Sequence, residues 1–246
     1  MSRQTIMAAG SMLHLLPQLL DHYWGSDGSG YELKFGSSGA LRAKIESGHP
    51  CQLFISASSI HTQSLVENHY LKSCALLGLN RNVLVHPVRL RVTEESALGF
   101  LMDAQYQLAI STTGLNPAAN ELEMLERITQ VGGLKSGELK KRTRLITGGR
   151  ETPNAPTGRN QYGWIMETQS VDLLLTYQTN AIEAVADNPN LSFTHLPEVV
   201  RVDGYYGIAL SSLASPLLTG FYEWLLGSEG QSCLSGYGFR SATHSR

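Results

Sequence analysis

Two short stretches decide how this chain reads. The first is Ala8-Ala9-Gly10-Ser11, which follows Thr5-Ile6-Met7 and precedes Met12-Leu13-His14-Leu15-Leu16. The second is Phe35-Gly36-Ser37-Ser38-Gly39-Ala40-Leu41, which ends an extended run and opens Leu41-Arg42-Ala43-Lys44-Ile45-Glu46. Each puts serine and glycine where a strand gives way to a helix. A helix N-terminus presents unpaired backbone N–H groups and the positive end of the macrodipole. Serine hydroxyls add donors, and glycine lets a ligand approach the backbone. Two such loops in one chain point to an anion site built of neutral donors. The same residues are also ordinary turn and N-cap choices, so spacing alone leaves both readings open.

Outward from these loops, strand-like apolar runs alternate with helical patterns. Residues 5–8 read as a strand and 12–23 as a helix; 31–35 alternates like a strand and 40–47 is a short helix. Leu53-Phe54-Ile55-Ser56 is a compact buried strand, with a helix around 60–71 after it. This order predicts an α/β fold with a mostly parallel sheet flanked by helices. Residues 83–88 read as a strand that leaves the unit, broken by Pro87. A second set follows: a strand at 107–111, a helix from Pro117 to Ile128, another near 135–142, and a Gly/Pro-rich loop over 147–158. Then come a helix at 159–168, a buried strand at 171–175, a strand at 206–210, and helices from Ser215-Pro216 to Leu226 and over 228–235. Two α/β units joined by extended crossings predict a cleft between lobes, a common place for a ligand.

Composition narrows the function classes. The 246 residues are 42% hydrophobic and 16% charged, with net charge −2, an ordinary globular balance. Lys140-Lys141-Arg142-Thr143-Arg144 is short and lacks interleaved aromatics, so it reads as a solvated helix face and not a nucleic-acid site. No apolar run approaches the ~18 residues of a membrane span. The opening Met1-Ser2-Arg3-Gln4 runs straight into Thr5-Ile6-Met7-Ala8-Ala9, a short apolar stretch that reads as a strand and not a secretory leader. The expected compartment is therefore the cytoplasm, or the periplasm or cell exterior if a leader lies outside these residues. Cys51, Cys74 and Cys233 form no C-x-x-C pair and read as incidental thiols. The eight histidines contain no H-E-x-x-H, and there is no G-x-S-x-G elbow, Walker loop or G-x-G-x-x-G. Gly36-Ser37-Ser38-Gly39 has no identifiable base near it. No catalytic residue, cofactor or protein-bound metal is expected.

The chain resembles the molybdate-binding proteins, the solute receptors of ABC-type molybdate importers. The resemblance rests on Ala8-Ala9-Gly10-Ser11, the run from Phe35 through Leu41 to Ile45-Glu46-Ser47-Gly48, and Leu53-Phe54-Ile55-Ser56-Ala57-Ser58. It continues through Asn116-Pro117-Ala118, Leu175-Thr176-Tyr177, and Glu229-Gly230-Gln231 through Tyr237-Gly238-Phe239. It implies a two-lobed, type II periplasmic-binding-protein-like fold. Lobe I would be residues 1–84 plus 200–246 and lobe II residues 85–199, with hinges near 84 and 200. It also implies five anion-contacting positions. Ser11 and Ser38 would give hydroxyls and nearby N–H groups, Ala118 and Arg159 backbone N–H groups at helix starts, and Tyr177 its phenol. The implied ligand is molybdate or tungstate, held between the lobes; the implied partner is an ABC permease, and the chain is expected to be a monomer.

This chain has Arg159 where the family has a small or apolar residue, and Cys51-Gln52 where it often has Ala-Asp. The Arg159 side chain has two readings: toward the anion, or outward to Glu151 or Asp172. The alternatives to a molybdate receptor are a cytosolic ligand-sensing domain of the same fold, or a receptor for a different anion using Arg159.

Overall fold

The computed structural model describes residues 4–25, 30–110, 119–146 and 154–241. In chain order the elements begin with β1 (Gln4–Ala9), a 3-10 turn at Gly10–Met12, α1 (Leu15–Trp24), β2 (Tyr31–Gly36) and α2 (Ser38–Glu46). Next come β3 (Leu53–Ser56), α3 (Ser59–Glu67), β4 (Ser73–Asn80), β5 (Asn82–Pro87), α4 (Glu94–Met102) and β6 (Leu108–Ile110). The middle of the chain adds α5 (Ala119–Val131), α6 (Glu138–Arg142), β7 (Arg144–Leu145) and α7 (Gln161–Thr168). It continues with β8 (Leu173–Tyr177), α8 (Gln178–Asp187) and β9 (Leu191–His195), and the last part is β10 (Gly204–Leu210), α9 (Pro216–Leu226), α10 (Ser228–Gly236) and β11 (Phe239–Arg240).

The chain divides into two compact units, Met1–Leu79 with Gly204–Arg246, and Asn80–Asp203. Strand β5 lies in the second unit, pairing along nearly its whole length with β8 and β9. The first unit has a six-stranded sheet in the order β11-β4-β10-β3-β1-β2, and the second a five-stranded sheet in the order β7-β6-β8-β5-β9. Strands β1, β2 and β3 are parallel, as are β6, β7 and β8. Parallel neighbours need a crossover, usually helical, and the strand–helix alternation supplies it. Strands β5 and β10 run antiparallel to their neighbours β8, β9 and β3. Both begin directly after a passage from the other unit, without a helix to turn them round.

Both sheets are buried on both faces, which is why their central strands are nearly continuous apolar runs. In the first unit Ile6, Ala8, Leu53, Ile55, Ile208 and Leu210 face one core beneath α1, α9 and α10. The alternating Met7, Phe54 and Ala209 face a second core with Leu41 and Ile45 of α2 and Leu65 of α3. In the second unit Leu84, Leu173 and Leu175 join Leu101, Met124 and Ile128, while Val83, Val85 and Leu174 join Ile165 and Ala181.

Helix α1 starts at Leu15 and not at 12 because Gly10–Met12 forms its own 3-10 turn, anchored by buried Met12. The expected strand end at Ser111, the helix start at Pro117 and residues 147–153 lie outside the described residues. Among the described residues no helix is long and apolar enough to cross a membrane. The three cysteines are unpaired. Cys51 donates to the Leu53 carbonyl at 3.3 Å, and burial pushes its thiol up to about 12.

Candidate functional site

The register of the first sheet sets the site. Ala9 pairs with Gly36 and Ala8 with Ile55, so three parallel strands end together and release Gly10-Ser11, Ser37-Ser38 and Ala57-Ser58 at one edge. Ligands of open α/β sheets gather at the carboxyl ends of such strands. Leu41 and Ile45 hold α2 in the core. Helix α3 seats close to β10 because residue 207 is glycine: a Cβ there would meet the Cα of Ser59 at 2.8 Å.

The serines at this edge do not do what helix-starting serines usually do. Helices α4, α7 and α9 are capped by the side chains of Thr93, Asn160 and Ser215. Helices α2 and α3 begin after Ser37 and Ser58, yet neither side chain makes a capping bond. Ser38 Oγ accepts the Ala57 N–H at 3.0 Å, which leaves the Ser38 proton available to donate elsewhere. Ser56 Oγ accepts from the Ser58 N–H at 3.1 Å and donates to the Ser58 carbonyl at 2.7 Å, holding the third loop closed on itself. Ser11 Oγ lies 2.7 Å from the hydroxyl of Tyr206. Charges nearby are balanced: Arg42 Nε pairs with Glu46 at 2.7 Å, and burial lowers the His61 pKa, favouring the neutral ring.

The second unit holds Tyr177 and Arg159. Tyr177 is buried at the end of β8, in the N-cap position of α8 and opposite Asn82. The start of α8 is already served by protein: Gln178 N–H donates to the Arg81 carbonyl at 2.7 Å and Thr179 N–H to Asn80 Oδ1 at 3.4 Å. Arg159 sits at the far end of α8. Its Nε reaches both carboxylate oxygens of Asp187, at 3.1 and 3.2 Å, and another guanidinium nitrogen reaches Glu167 at 2.7 Å. Asp187 closes a ten-residue helix that Tyr177 precedes, so this partner lies about 15 Å along α8 from Tyr177. The Arg159 N–H donates to the Pro156 carbonyl at 3.0 Å. The backbone N–H and two of the three guanidinium nitrogens of Arg159 thus meet protein acceptors. Its outward partners are Asp187 and Glu167; Asp172 instead lies 3.8 Å from Arg89, and Glu151 is outside the described residues. Ala118 is also outside them.

Sequence reading missed the third loop, Ser56-Ala57-Ser58-Ser59, and the partner of Ser11. The loop had a signal, four small residues in a row after a short apolar strand. Tyr206 had none, because it is 195 residues from Ser11. Among the described residues no group of three His, Cys, Asp or Glu side chains is placed to hold a metal ion.

The two α/β units have the type II periplasmic-binding-protein-like fold. The chain belongs to the bacterial extracellular solute-binding protein family, whose pattern matches residues 5–240. It is 26% identical over 215 residues to the uncharacterized protein PM1146 of Pasteurella multocida (strain Pm70), covering 87% of this chain and 88% of that one. Among solved structures it resembles the periplasmic molybdate-binding protein of Azotobacter vinelandii, with TM-score 0.71, 19% identity, and 96% and 98% of the two chains covered. It also resembles a substrate-binding domain from Clostridium difficile that is named for a molybdenum ABC transporter, with TM-score 0.69, 19% identity, and coverage of 97% and 98%. The sulfate-binding protein SubI of Mycobacterium tuberculosis shares the fold as well, at TM-score 0.65 and 13% identity, with 98% and 88% covered.

Proposed function

We propose that this protein is the extracytoplasmic receptor of an ABC-type importer and that its solute is a fully deprotonated tetrahedral oxyanion, molybdate or tungstate. The observation that carries this reading is the state of the serines. Ser37 and Ser58 stand at helix starts without capping them, and Ser38 takes up a backbone N–H so that its own proton is left to give. Ser11 and Ser38, with nearby N–H groups, are proposed donors, as are Tyr177 and Ala118. Arg159 is left to structure, because its Nε, one terminal guanidinium nitrogen and its backbone N–H already meet Asp187, Glu167 and Pro156.

The chemistry follows from what each anion offers. Molybdate and tungstate carry no proton near neutral pH and only accept, so a set of neutral donors satisfies them with charge-assisted bonds. Hydrogen phosphate brings a proton that needs an acceptor, and leaving it unpaired in a dry site costs affinity. Sulfate meets the donors as molybdate does and differs in size. One solved relative named for molybdate, another named for a molybdenum transporter, and the family's extracellular description support the solute and the compartment. Calorimetric titration with molybdate, tungstate, sulfate and phosphate is the test. Tight binding of the first two and none of phosphate is expected. Equal binding of phosphate, or no binding of any of the four, overturns the reading; sulfate as the tightest ligand makes this a sulfate receptor.

A further inference from the structure

Ser56 ends β3 and is fully buried. A buried hydroxyl at a strand end must find partners, and nearby backbone groups are the usual ones. Both partners of Ser56 belong to one residue two positions on. Its Oγ accepts the Ser58 N–H at 3.1 Å and donates to the Ser58 carbonyl at 2.7 Å. Both directions are fixed, because an amide N–H only donates and a carbonyl only accepts. The chain is thereby folded back on itself across Ala57. The far side of the loop is held by packing. Gly207 of β10 lies opposite Ser56, and a Cβ there would meet Ser59 Cα at 2.8 Å and overlap the Thr62 hydroxyl. Buried Thr62 in turn donates to the Ser59 carbonyl at 2.8 Å.

Ala57 is therefore fixed from both sides, and its N–H is aimed at Ser38 Oγ, 3.0 Å away. This direction is fixed as well, since the donor is a backbone amide. Ser38 Oγ makes no other hydrogen bond among the described residues, so its proton is not the one between these atoms. A hydroxyl that accepts one hydrogen bond is polarised and donates the next more strongly. We propose that Ser56 is a positioning residue for the anion site: by closing the loop it holds the Ala57 N–H on Ser38 Oγ and so turns the Ser38 proton to the solute. This rests on the oxyanion reading above. Without the Ser56 hydroxyl the Ser58 N–H and carbonyl lose their partner, the loop opens, and the Ser38 hydroxyl is free to rotate.

The test is a set of calorimetric titrations with molybdate and tungstate. The proteins are wild type, Ser56→Ala, Ser38→Ala, Ser11→Ala, and Ser56→Ala paired with each of the other two. Ser56→Ala keeps the Cβ at the end of β3 and removes only the hydroxyl. It is expected to weaken binding about threefold to tenfold, the scale of one neutral hydrogen bond. In the Ser38→Ala background the same substitution is expected to change affinity less than about twofold, because no Ser38 hydroxyl is left to aim. Beside Ser11→Ala its loss should persist in full. A loop that only supports the fold would lower affinity alike in both backgrounds. An unchanged affinity in Ser56→Ala or in Ser38→Ala, or an equal loss in both backgrounds, overturns the positioning role and leaves the oxyanion reading standing. Failure of the wild type to take up either anion overturns both. Should Ser56→Ala not fold, the amide proton resonance of Ala57 carries the test. It should move downfield when molybdate is added to wild type, as its bond to Ser38 strengthens, and stay in place in Ser38→Ala at saturating molybdate. An Ala57 resonance that stays in place in wild type, or moves alike in both proteins, overturns the proposal.

Discussion

Ser38 has two partners to satisfy, and its substitution separates them. Its oxygen accepts the Ala57 N–H at 3.0 Å, tying the start of α2 to the loop after β3. Its proton is the one proposed to meet the solute. Ser38→Ala removes a hydrogen bond to a dianion, a contribution of about 1.5–3 kcal/mol, so molybdate affinity should fall roughly ten- to hundredfold. It also leaves the Ala57 N–H without its acceptor, so the ligand-free protein should melt somewhat earlier. Calorimetry reads the first effect and a thermal melt the second. A lower melting temperature with an unchanged dissociation constant would make Ser38 a loop tie only. The residue-scale clue in the sequence was the serine itself. Its direction was not legible, because that is set by Ala57, which lies in the loop after another strand.

Arg159 belongs to the scale of elements, since it joins α7 to α8. A carboxylate at the last residue of α8 faces the negative end of that helix, and the Arg159 guanidinium offsets it while also holding Glu167 of α7. The hydrogen bond from Arg159 keeps the Asp187 carboxyl below its ordinary range. The unfolded chain therefore binds more protons than the folded one at pH values just below that range. Stability from the pair is present above the ordinary carboxyl pKa of about 4 and is lost as pH falls through the lower folded value. Arg159→Gln should accordingly unfold at lower urea concentration than wild type at neutral pH, with the gap closing in acid. Its molybdate affinity should be unchanged; a large loss there would bring Arg159 back to the solute. Elements differed in legibility for physical reasons. The central strands showed plainly because burial on both faces demands apolar runs. Strand β4 was hidden by its polar start, Ser73-Cys74, and by Gly78, where a Cβ would meet the Arg240 carbonyl of β11 at 3.0 Å. Helix α8 was hidden because its buried opening is polar: Thr179 and Asn180 are each 8% exposed and are matched by Asn80 and Thr176.

For the whole molecule the measurable consequence is the coupling of solute binding to stability. Each unit has its own sheet with a core on either face, so the fold does not need the solute in order to form. A solute that binds only the folded chain still stabilises it by mass action, by about 2.7 kcal/mol at a free concentration one hundred times the dissociation constant. For a chain of this length each kcal/mol raises the melting temperature by about 2–4 °C, so a rise of roughly 5–10 °C is expected with molybdate or tungstate. The shift should grow with the logarithm of concentration once the site is saturated, which distinguishes site binding from general salt effects. Sulfate and phosphate stabilise many proteins at high concentration by exclusion from their surfaces, so the comparison belongs at low millimolar concentration and constant ionic strength. Under those conditions phosphate should leave the melting temperature where it is, because its proton finds no acceptor among the donors proposed at Ser11 and Ser38. Differential scanning calorimetry across a concentration series of each anion checks this. Equal, logarithmic shifts with phosphate and molybdate would mean that the site reads charge alone, and the exclusion of proton-bearing anions by neutral donors would have to be given up.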